Sequence, residues 1–274
     1  MENMNNPLGI IAGSGHLPLQ LIEKCRAKGR EVFVVAIEND TDLQTVENVP
    51  HVWIRLGAIG TAIEYLRKAG VSELVLAGKI NRPSMSALKP DAMGAKLIAK
   101  LGFSIFGGDT KIFKTILNFL EEEGFKIVGS EEISAEILAD QGIIGKHKPS
   151  EQDQKDMQIA KEVLQAIGSF DIGQGVIVKN GLVLGIEAAE GTDSLIERCG
   201  KIKGEGKGGV LLKSRKPIQE ERVDLPTIGI QTIELIAQAG FAGIAIEAGH
   251  SLILDREQAI ATADRLGIFI YGCE

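Results

Sequence analysis

The sequence predicts an α/β protein of two domains, an N-terminal doubly wound sheet and a C-terminal mixed α/β domain. Three observations predict it. Short apolar, β-branched runs alternate with stretches of helical period. Most of those helical stretches close on a glycine. A polar segment near the middle interrupts the alternation, which then resumes in a different pattern. The length of 274 residues fits one or two domains, and a domain of half that length still buries about two-thirds of the surface its unfolded chain exposes.

Taken in order, Leu8–Ala12 is an apolar run that ends in Gly13-Ser14-Gly15. A helical pattern through Leu17, Leu19, Leu21, Ile22 and Cys25 stops at Lys28-Gly29. Val32–Ile37 is unbroken and β-branched, as expected of a strand buried on both faces of a parallel sheet. A helix over about Ala58–Lys68 ends at Gly70, and the strand Glu73–Gly78 follows. A helix over Asp109–Glu123, closed by Gly124, leads to a strand at Phe125–Val128. Strands alternating with helices of this length predict a doubly wound, Rossmann-like domain.

From Gly129 to Asp156 the chain is polar, with Lys146-His-Lys-Pro-Ser150 running into Glu151–Asp156. It reads either as a domain boundary or crossover, or as a solvated helix start capped by Ser150 and Asp153. The boundaries expected are 1–130, a linker over 131–160, and 161–274. In the second half, Asp171–Val178 and Leu182–Ile186 read as a hairpin across Lys179-Asn180-Gly181. A strand at Gly209–Lys213, a helix at Thr227–Ala239, a strand at Gly243–Ile246 and a helix at Arg256–Leu266, capped by Asp255, come next. Ile268–Tyr271 is the last strand, and no internal repeat is visible.

Composition excludes several classes. Lys and Arg number 30 against 37 Asp and Glu, a net charge of -7, which disfavours nucleic acid as a partner. Aromatics at 4% leave little for base stacking. Cys25, Cys199 and Cys273 are far apart and lack metal-ligand spacing, as in a reduced cytoplasmic protein. Met1–Pro7 is polar and Leu8–Ala12 too short for a signal-peptide core. No apolar run approaches the ~20 residues of a membrane span, so a soluble protein is expected, with loose contact at a membrane surface open.

Four constellations could carry chemistry. Gly13, Ser14, Gly15 and His16 lie between a strand and a helix, where a glycine turn either cradles a phosphate or is only a tight turn. Pro18 stands where a dinucleotide fingerprint has its third glycine, although Glu38 is placed like a ribose-binding acid. Phe106-Gly-Gly-Asp109-Thr110 is a second glycine turn, whose Asp109 either caps a helix or faces the same crevice. Glu187, Glu190 and Asp193, around Gly191-Thr192, read as an oxygen-rich site for a hard cation such as Mg²⁺ rather than as separate caps. Lys213, Lys216 and Arg222 precede Asp224 on a Pro/Gly-flanked turn. Cations beside a carboxylate suit phosphoryl chemistry, a solvated charge run being the alternative. His250, after a strand, either contacts a phosphate, acts as a general acid, or is structural. Neither H-E-x-x-H nor G-x-S-x-G occurs.

Several blocks together, Gly9-Ile-Ile-Ala-Gly-Ser-Gly-His-Leu-Pro18, Asp171-Ile-Gly-Gln-Gly175, Glu187-Ala-Ala-Glu-Gly-Thr-Asp193, Lys213-x-x-Lys-Pro-x-Gln219, Asp224-Leu-Pro-Thr-Ile-Gly229 and Ala248-Gly-His-Ser-Leu-Ile-Leu-Asp-Arg256, closely resemble the LpxI-type UDP-2,3-diacylglucosamine pyrophosphatases. The resemblance runs in order over nearly the whole chain. It implies Mg²⁺-dependent hydrolysis of the UDP-sugar pyrophosphate to UMP and 2,3-diacylglucosamine 1-phosphate (lipid X), a step of lipid A biosynthesis, with water attacking the β-phosphorus. It also implies two domains that hold the lipid product between them, and an essential aspartate matching Asp224. His250 and Ser251 stand where the family usually has Arg and Thr, and Thr110 stands where a second acid is expected after Asp109.

Residues and resemblance together assign Asp224, Glu190 and Asp193 to catalysis and to Mg²⁺, with Mn²⁺ as an alternative metal. Lys213, Lys216, Gln219, Arg222, Thr192, His250 and Gly13 to His16 are assigned to substrate and phosphate binding. The expected partners are the UDP-2,3-diacylglucosamine substrate and lipid X, with loose inner-membrane contact, a homo-oligomer left open and no nucleic acid. Apolar faces between the halves, with Ala95–Leu101 and Thr232–Ala239 as candidate helices, would take the acyl chains. Two rival classes are an NAD(P)-binding oxidoreductase and a non-catalytic sensor of a nucleotide-sugar or phospholipid.

Overall fold

The unbroken apolar runs of the first half become the interior of a parallel sheet. In the computed structural model, which describes residues 6–81, 88–102, 109–217, 219–220 and 222–274, the chain divides into two units, Met1–Ala135 and Glu136–Glu274. Among the described residues of the first unit, β1 (Leu8–Ala12), β2 (Val32–Ile37), β3 (His51–Ile54), β4 (Glu73–Ala77) and β5 (Lys126–Ile127) form one sheet in the order β3-β2-β1-β4-β5. Every pairing in it is parallel. The order reverses beside β1, so the switch point lies between β1 and β4, as in doubly wound folds. Leu8, Ile10, Val34, Val35, Leu74 and Val75 are fully buried.

The helices of this unit are α1 (Leu17–Ala27), α2 (Leu43–Val46), α3 (Ile59–Lys68), α4 (Ala92–Leu101), α5 (Asp109–Glu122) and α6 (Ser130–Ile133). Asp91 ties two of them together. Its carboxylate caps α4 through the Gly94 N–H at 2.7 Å and accepts the Gly60 N–H of α3 at 2.8 Å. The short strand β3 has only three apolar residues, and α4 carries a glycine in its first turn, too little periodicity for either to stand out in the sequence. The Phe106–Gly108 turn lies outside the described residues, as does the Asp109 side chain.

The second unit comprises β6 (Gly142–Ile144), α7 (Glu151–Gly168), β7 (Gly175–Lys179), β8 (Leu182–Ile186), α8 (Gly191–Ile202), β9 (Val210–Lys213), β10 (Thr227–Ile228), α9 (Ile230–Gln238), β11 (Gly243–Glu247), β12 (Leu252–Ile253), α10 (Arg256–Leu266) and β13 (Phe269–Cys273). Its main sheet has the order β6-β13-β11-β9-β7-β8. β9, β11 and β13 run parallel, whereas β6 and the β7–β8 hairpin are antiparallel to their neighbours. Asn180 and Gly181 take φ of 51° and 81° at the hairpin turn. The buried Asp156 of α7 pins that turn by accepting both of its N–H groups at 2.8 Å. Met157, Ala160 and Leu164 of α7 cover one face of the sheet. The helices α8, α9 and α10 cover the other through Leu195, Ile233 and Ala259.

Three expectations are corrected. Residues 131–160 are not a linker: α6 belongs to the first unit, while β6 pairs with β13 and α7 carries core side chains of the second. Polar composition there reflects one exposed helix face. The helix expected from Thr227 begins at Ile230, because Thr227 and Ile228 pair in parallel with Leu252 and Ile253. Asp255 stands at the N-cap of α10 in the left-handed conformation, φ 47°, and makes no side-chain cap bond. Among the described residues no helix is long and apolar enough to cross a membrane.

Candidate active site

The register of the second sheet gathers its polar residues at one edge. β9 and β11 both end there, at Lys213 and Glu247, because they are parallel and paired. The antiparallel β7 begins at the same edge, with Gly175 opposite Lys213, and β8 ends beside it. The next residue, Glu187, donates its N–H to the Gly175 carbonyl at 2.8 Å and is thereby turned into the edge. Such carboxyl edges are where α/β sheets bind ligands.

Lys213 is the centre of this arrangement. Its side chain is buried, at 5% exposure, and its ammonium donates to the Thr227 carbonyl at 2.9 Å. Burial lowers its pKa, and the carboxylates of Glu187, Asp224 and Asp193 act in the opposite direction. Three carboxylates therefore act electrostatically on one buried ammonium. The bond to Thr227 also fixes the Asp224-Leu225-Pro226 turn, which the Thr227 hydroxyl braces by donating to the Leu225 carbonyl at 2.9 Å.

Glu187 is itself buried, at 7% exposure. One carboxylate oxygen accepts the Thr192 hydroxyl at 2.9 Å, and the other is buried with no hydrogen bond. The glycines of Asp171-Ile-Gly173-Gln-Gly175 make room for it. A Cβ at Gly173 would lie 1.9 Å from the Glu187 carbonyl oxygen, and one at Gly175 would lie 2.7 Å from the unbonded Oε2.

The expected site residues separate on this geometry. Asp193 and Asp224 act electrostatically on Lys213, as does Glu187, to which Thr192 is bonded. Glu190 does not join them: it is exposed, at the N-cap of α8, and holds Arg198 at 2.8 Å. Its own backbone N–H and Arg198 keep its carboxyl below the usual range. Asp193 is exposed and also accepts the Gln231 side-chain amide at 3.0 Å. Lys216, buried, is ion-paired with Asp171, and Arg222 with Glu220 at 2.8 Å. Gln219 accepts the Lys216 backbone N–H at 2.7 Å and holds that loop. His250 sits in the turn after β11, where its backbone N–H reaches the Glu247 carbonyl at 3.3 Å. Glu247, which the sequence reading passed over, accepts the Ser214 hydroxyl at 2.6 Å and the Arg215 guanidinium at 2.9 Å.

Glu187 is the residue the sequence undervalued, since nothing in Glu187-Ala-Ala-Glu190 says which acid is buried. Counting from the Asn180-Gly181 turn would set Ile186 opposite Gly175; a register shift between Ile177 and Val178 moves the pairing by one residue and brings Glu187 there instead.

Gly13 to His16 belong to the first unit, and their backbone is already bonded. Gly13 donates to the Ala77 carbonyl and Ser14 to the Lys79 carbonyl, each at 2.8 Å, while Lys79 donates back to Ser14 at 2.9 Å. The Gly15 N–H goes to the Asp42 carboxylate at 2.8 Å. A Cβ at Gly13 would lie 2.4 Å from the Lys79 carbonyl oxygen, so this glycine serves the approach of one loop to another. A phosphate there would have to displace these bonds.

For a divalent cation, the donor chemistry fits in one respect. Three carboxylates against one ammonium leave an excess of negative charge, and the orphaned Glu187 Oε2 is an acceptor with nothing to accept. Among the described residues no three His, Cys, Asp or Glu side chains converge as a ready ligand set. Mg²⁺ does not require one, since it is commonly held by one or two carboxylates with substrate phosphates and water.

The comparisons agree with this architecture. The LpxI N-terminal domain family matches residues 7–137 and the LpxI C-terminal domain family residues 140–271. The chain belongs to the LpxI family. It is 41% identical over 273 residues to the UDP-2,3-diacylglucosamine pyrophosphatase LpxI of Caulobacter vibrioides, covering 97% of both chains. Membership places it among hydrolases of the pyrophosphatase class. Among solved structures, CobK precorrin-6A reductase is 11% identical at a TM-score of 0.34, covering 98% of this chain and 89% of that one. A structure titled gox2253 is 12% identical at 0.35, covering 96% and 76%. Neither bears on function.

Proposed function

We propose that this chain hydrolyses the pyrophosphate bond of UDP-2,3-diacylglucosamine, giving UMP and 2,3-diacylglucosamine 1-phosphate. The observation that carries it is the buried Lys213 at the carboxyl edge of the second sheet, under the electrostatic influence of Glu187, Asp224 and Asp193, in a member of this family. Water oxygen bonds to the β-phosphorus as the bridging oxygen leaves with UMP, and a carboxylate of the cluster takes the water proton. The Lys213 ammonium, fixed by Thr227, stabilises charge that develops on the phosphoryl oxygens. Asp224 and Asp193 would hold Mg²⁺, or Mn²⁺ in its place, which neutralises pyrophosphate charge when bound. Glu187, rather than the Glu190 expected with Asp224 and Asp193, is the glutamate that acts on Lys213.

Lys216 and Arg222 reach phosphate only by sharing their present carboxylates. The committed N–H groups of Gly13, Ser14 and Gly15 weigh against a dinucleotide cofactor. The acylated substrate supports a cytoplasmic protein in loose contact with the inner-membrane surface. Phosphorus NMR of the purified protein with UDP-2,3-diacylglucosamine tests the reading. UMP and lipid X should form with Mg²⁺ and cease with chelator; saturable binding without turnover would favour a sensor. In water enriched in ¹⁸O, the label should enter lipid X, and label in UMP would refute attack at the β-phosphorus.

A further inference from the structure

Between Lys213 and Lys216 stands a third cation, Arg215, in the loop that leaves β9 at the carboxyl edge of the second sheet. Its partner is Glu247, the last residue of β11. The two strands run parallel with Lys213 opposite Ile246, so the next residue of each, Ser214 and Glu247, meet across the edge. One Glu247 oxygen accepts the Ser214 hydroxyl at 2.6 Å and the Arg215 backbone N–H at 3.0 Å. The other accepts the Arg215 Nε–H at 2.9 Å. Three bonds from two consecutive residues thus end on one carboxylate. The sheet holds that carboxylate in place, because Glu247 is also paired with Cys273 of β13.

The loop is fixed at each of its amides. The Ser214 N–H goes to the Gln174 carbonyl at 3.1 Å, the Arg215 N–H to Glu247, and the Lys216 N–H to the Gln219 side chain at 2.7 Å. A phosphate arriving here therefore meets side chains and not a nest of backbone amides. Of those side chains, Lys213 and Lys216 are buried, whereas Arg215 is 31% exposed. The carboxylates paired with Lys216 and Arg222, Asp171 and Glu220, both lie in loops. Arg215 differs: its counter-charge stands on a strand, so the guanidinium is anchored to the sheet before any ligand arrives. The Glu247 bond uses Nε, and a guanidinium carries further N–H donors in a planar fork that matches phosphate oxygens.

We propose that Arg215 is a further residue binding the substrate's pyrophosphate, and that Glu247 is its positioning residue. The identity of the ligand rests on the proposed function; the clamp on Arg215 does not. Two measurements on the full chain test it: turnover of UDP-2,3-diacylglucosamine, and isothermal titration with inorganic pyrophosphate and Mg²⁺. Arg215→Gln should raise KM about tenfold or more and weaken pyrophosphate to the same extent, while kcat falls less than about threefold. Arg215→Lys, which keeps the charge without the fork, should recover part of the loss, and serves if Arg215→Gln does not fold. Glu247→Gln should show the same split at smaller size, since it still accepts from Ser214 but no longer pairs with the guanidinium. In the Arg215→Gln background it should add less than about twofold, because Glu247 acts through Arg215. Unchanged KM and pyrophosphate affinity in the folded Arg215 variants overturn the proposal. So do losses that multiply in the double variant, which would make the pair a structural brace. Pyrophosphate binding that depends on Arg215 in a protein without hydrolysis supports the site and refutes the hydrolase reading instead. A wild type that neither hydrolyses the substrate nor binds pyrophosphate refutes both.

Discussion

The two units present the same kind of sheet edge and fill it in opposite ways. At the carboxyl ends of β1, β2 and β4 the first unit holds an apolar cavity, and its loops are bonded to one another. At the ends of β9 and β11 the second holds a buried ammonium, three carboxylates nearby and an orphaned acceptor oxygen. Glycines crowd both edges but serve different contacts: Gly13 and Gly173 admit a neighbouring backbone, while Gly175 admits a carboxylate. A glycine-rich strand end thus announces close approach without saying what approaches. The chemistry belongs to the edge with unsatisfied charge, and the apolar edge offers only burial.

Substitutions can break that contrast. Asp224→Ala should cost about 10³-fold in kcat/KM, read by UMP release, with an unchanged melting temperature. Near-normal turnover would remove the second edge as the reacting one. Lys213→Met should cut turnover about a hundredfold and destabilise the fold by ~3 kcal/mol, because Glu187 is left buried and uncompensated. Adding Glu187→Met should recover the stability but not the turnover, measured by urea unfolding alongside kcat. Recovery of both would make the pair structural.

The two glutamates sharpen the same comparison at smaller scale. Glu187→Gln should lower kcat/KM roughly tenfold or more, whereas Glu190→Gln, losing only an exposed pair with Arg198, should stay within about threefold. The reverse order would restore the assignment read from sequence. The smallest effect is expected far from either edge, at the start of β4. Burial pushes the Glu73 pKa up, but hydrogen bonds from Lys126 and Arg30 outweigh it and hold the carboxyl below the usual range. A depressed folded pKa contributes stability above about pH 4.3 that is lost as pH falls through the folded value. Glu73→Gln should therefore cost ~0.5 kcal/mol at pH 7, after solvent screening, and less at pH 3, by urea midpoints at both. An equal cost at both would show that packing, not charge, is lost.

Much of the fold was legible because it rests on local patterns. Val32–Ile37 could only be an interior strand, Asn180-Gly181 could only turn a hairpin, and Ser150 with Asp153 did form a capping box around the α7 N-terminus. The failures came where pairing partners are remote. Thr227 and Ile228 read as helix until Leu252 and Ile253 claim them as strand. The polar run after Gly129 hides β6, whose partner is the last strand of the chain.

The site divides along the same line. Residue types and spacing by themselves determined that acids after one strand and cations before Asp224 suit phosphoryl chemistry, because charge is a property of the side chain. Only the tertiary structure decided that Glu187 is buried beside Lys213 while Glu190, three residues on, faces solvent with Arg198. Burial depends on which strands pair and in what register, and in a low-dielectric interior that placement sets what a charge can do. The cavity in the first unit is of the same kind: its lining comes from strands and helices spread from Ile11 to Leu120, and no local stretch records a space that all of them leave open.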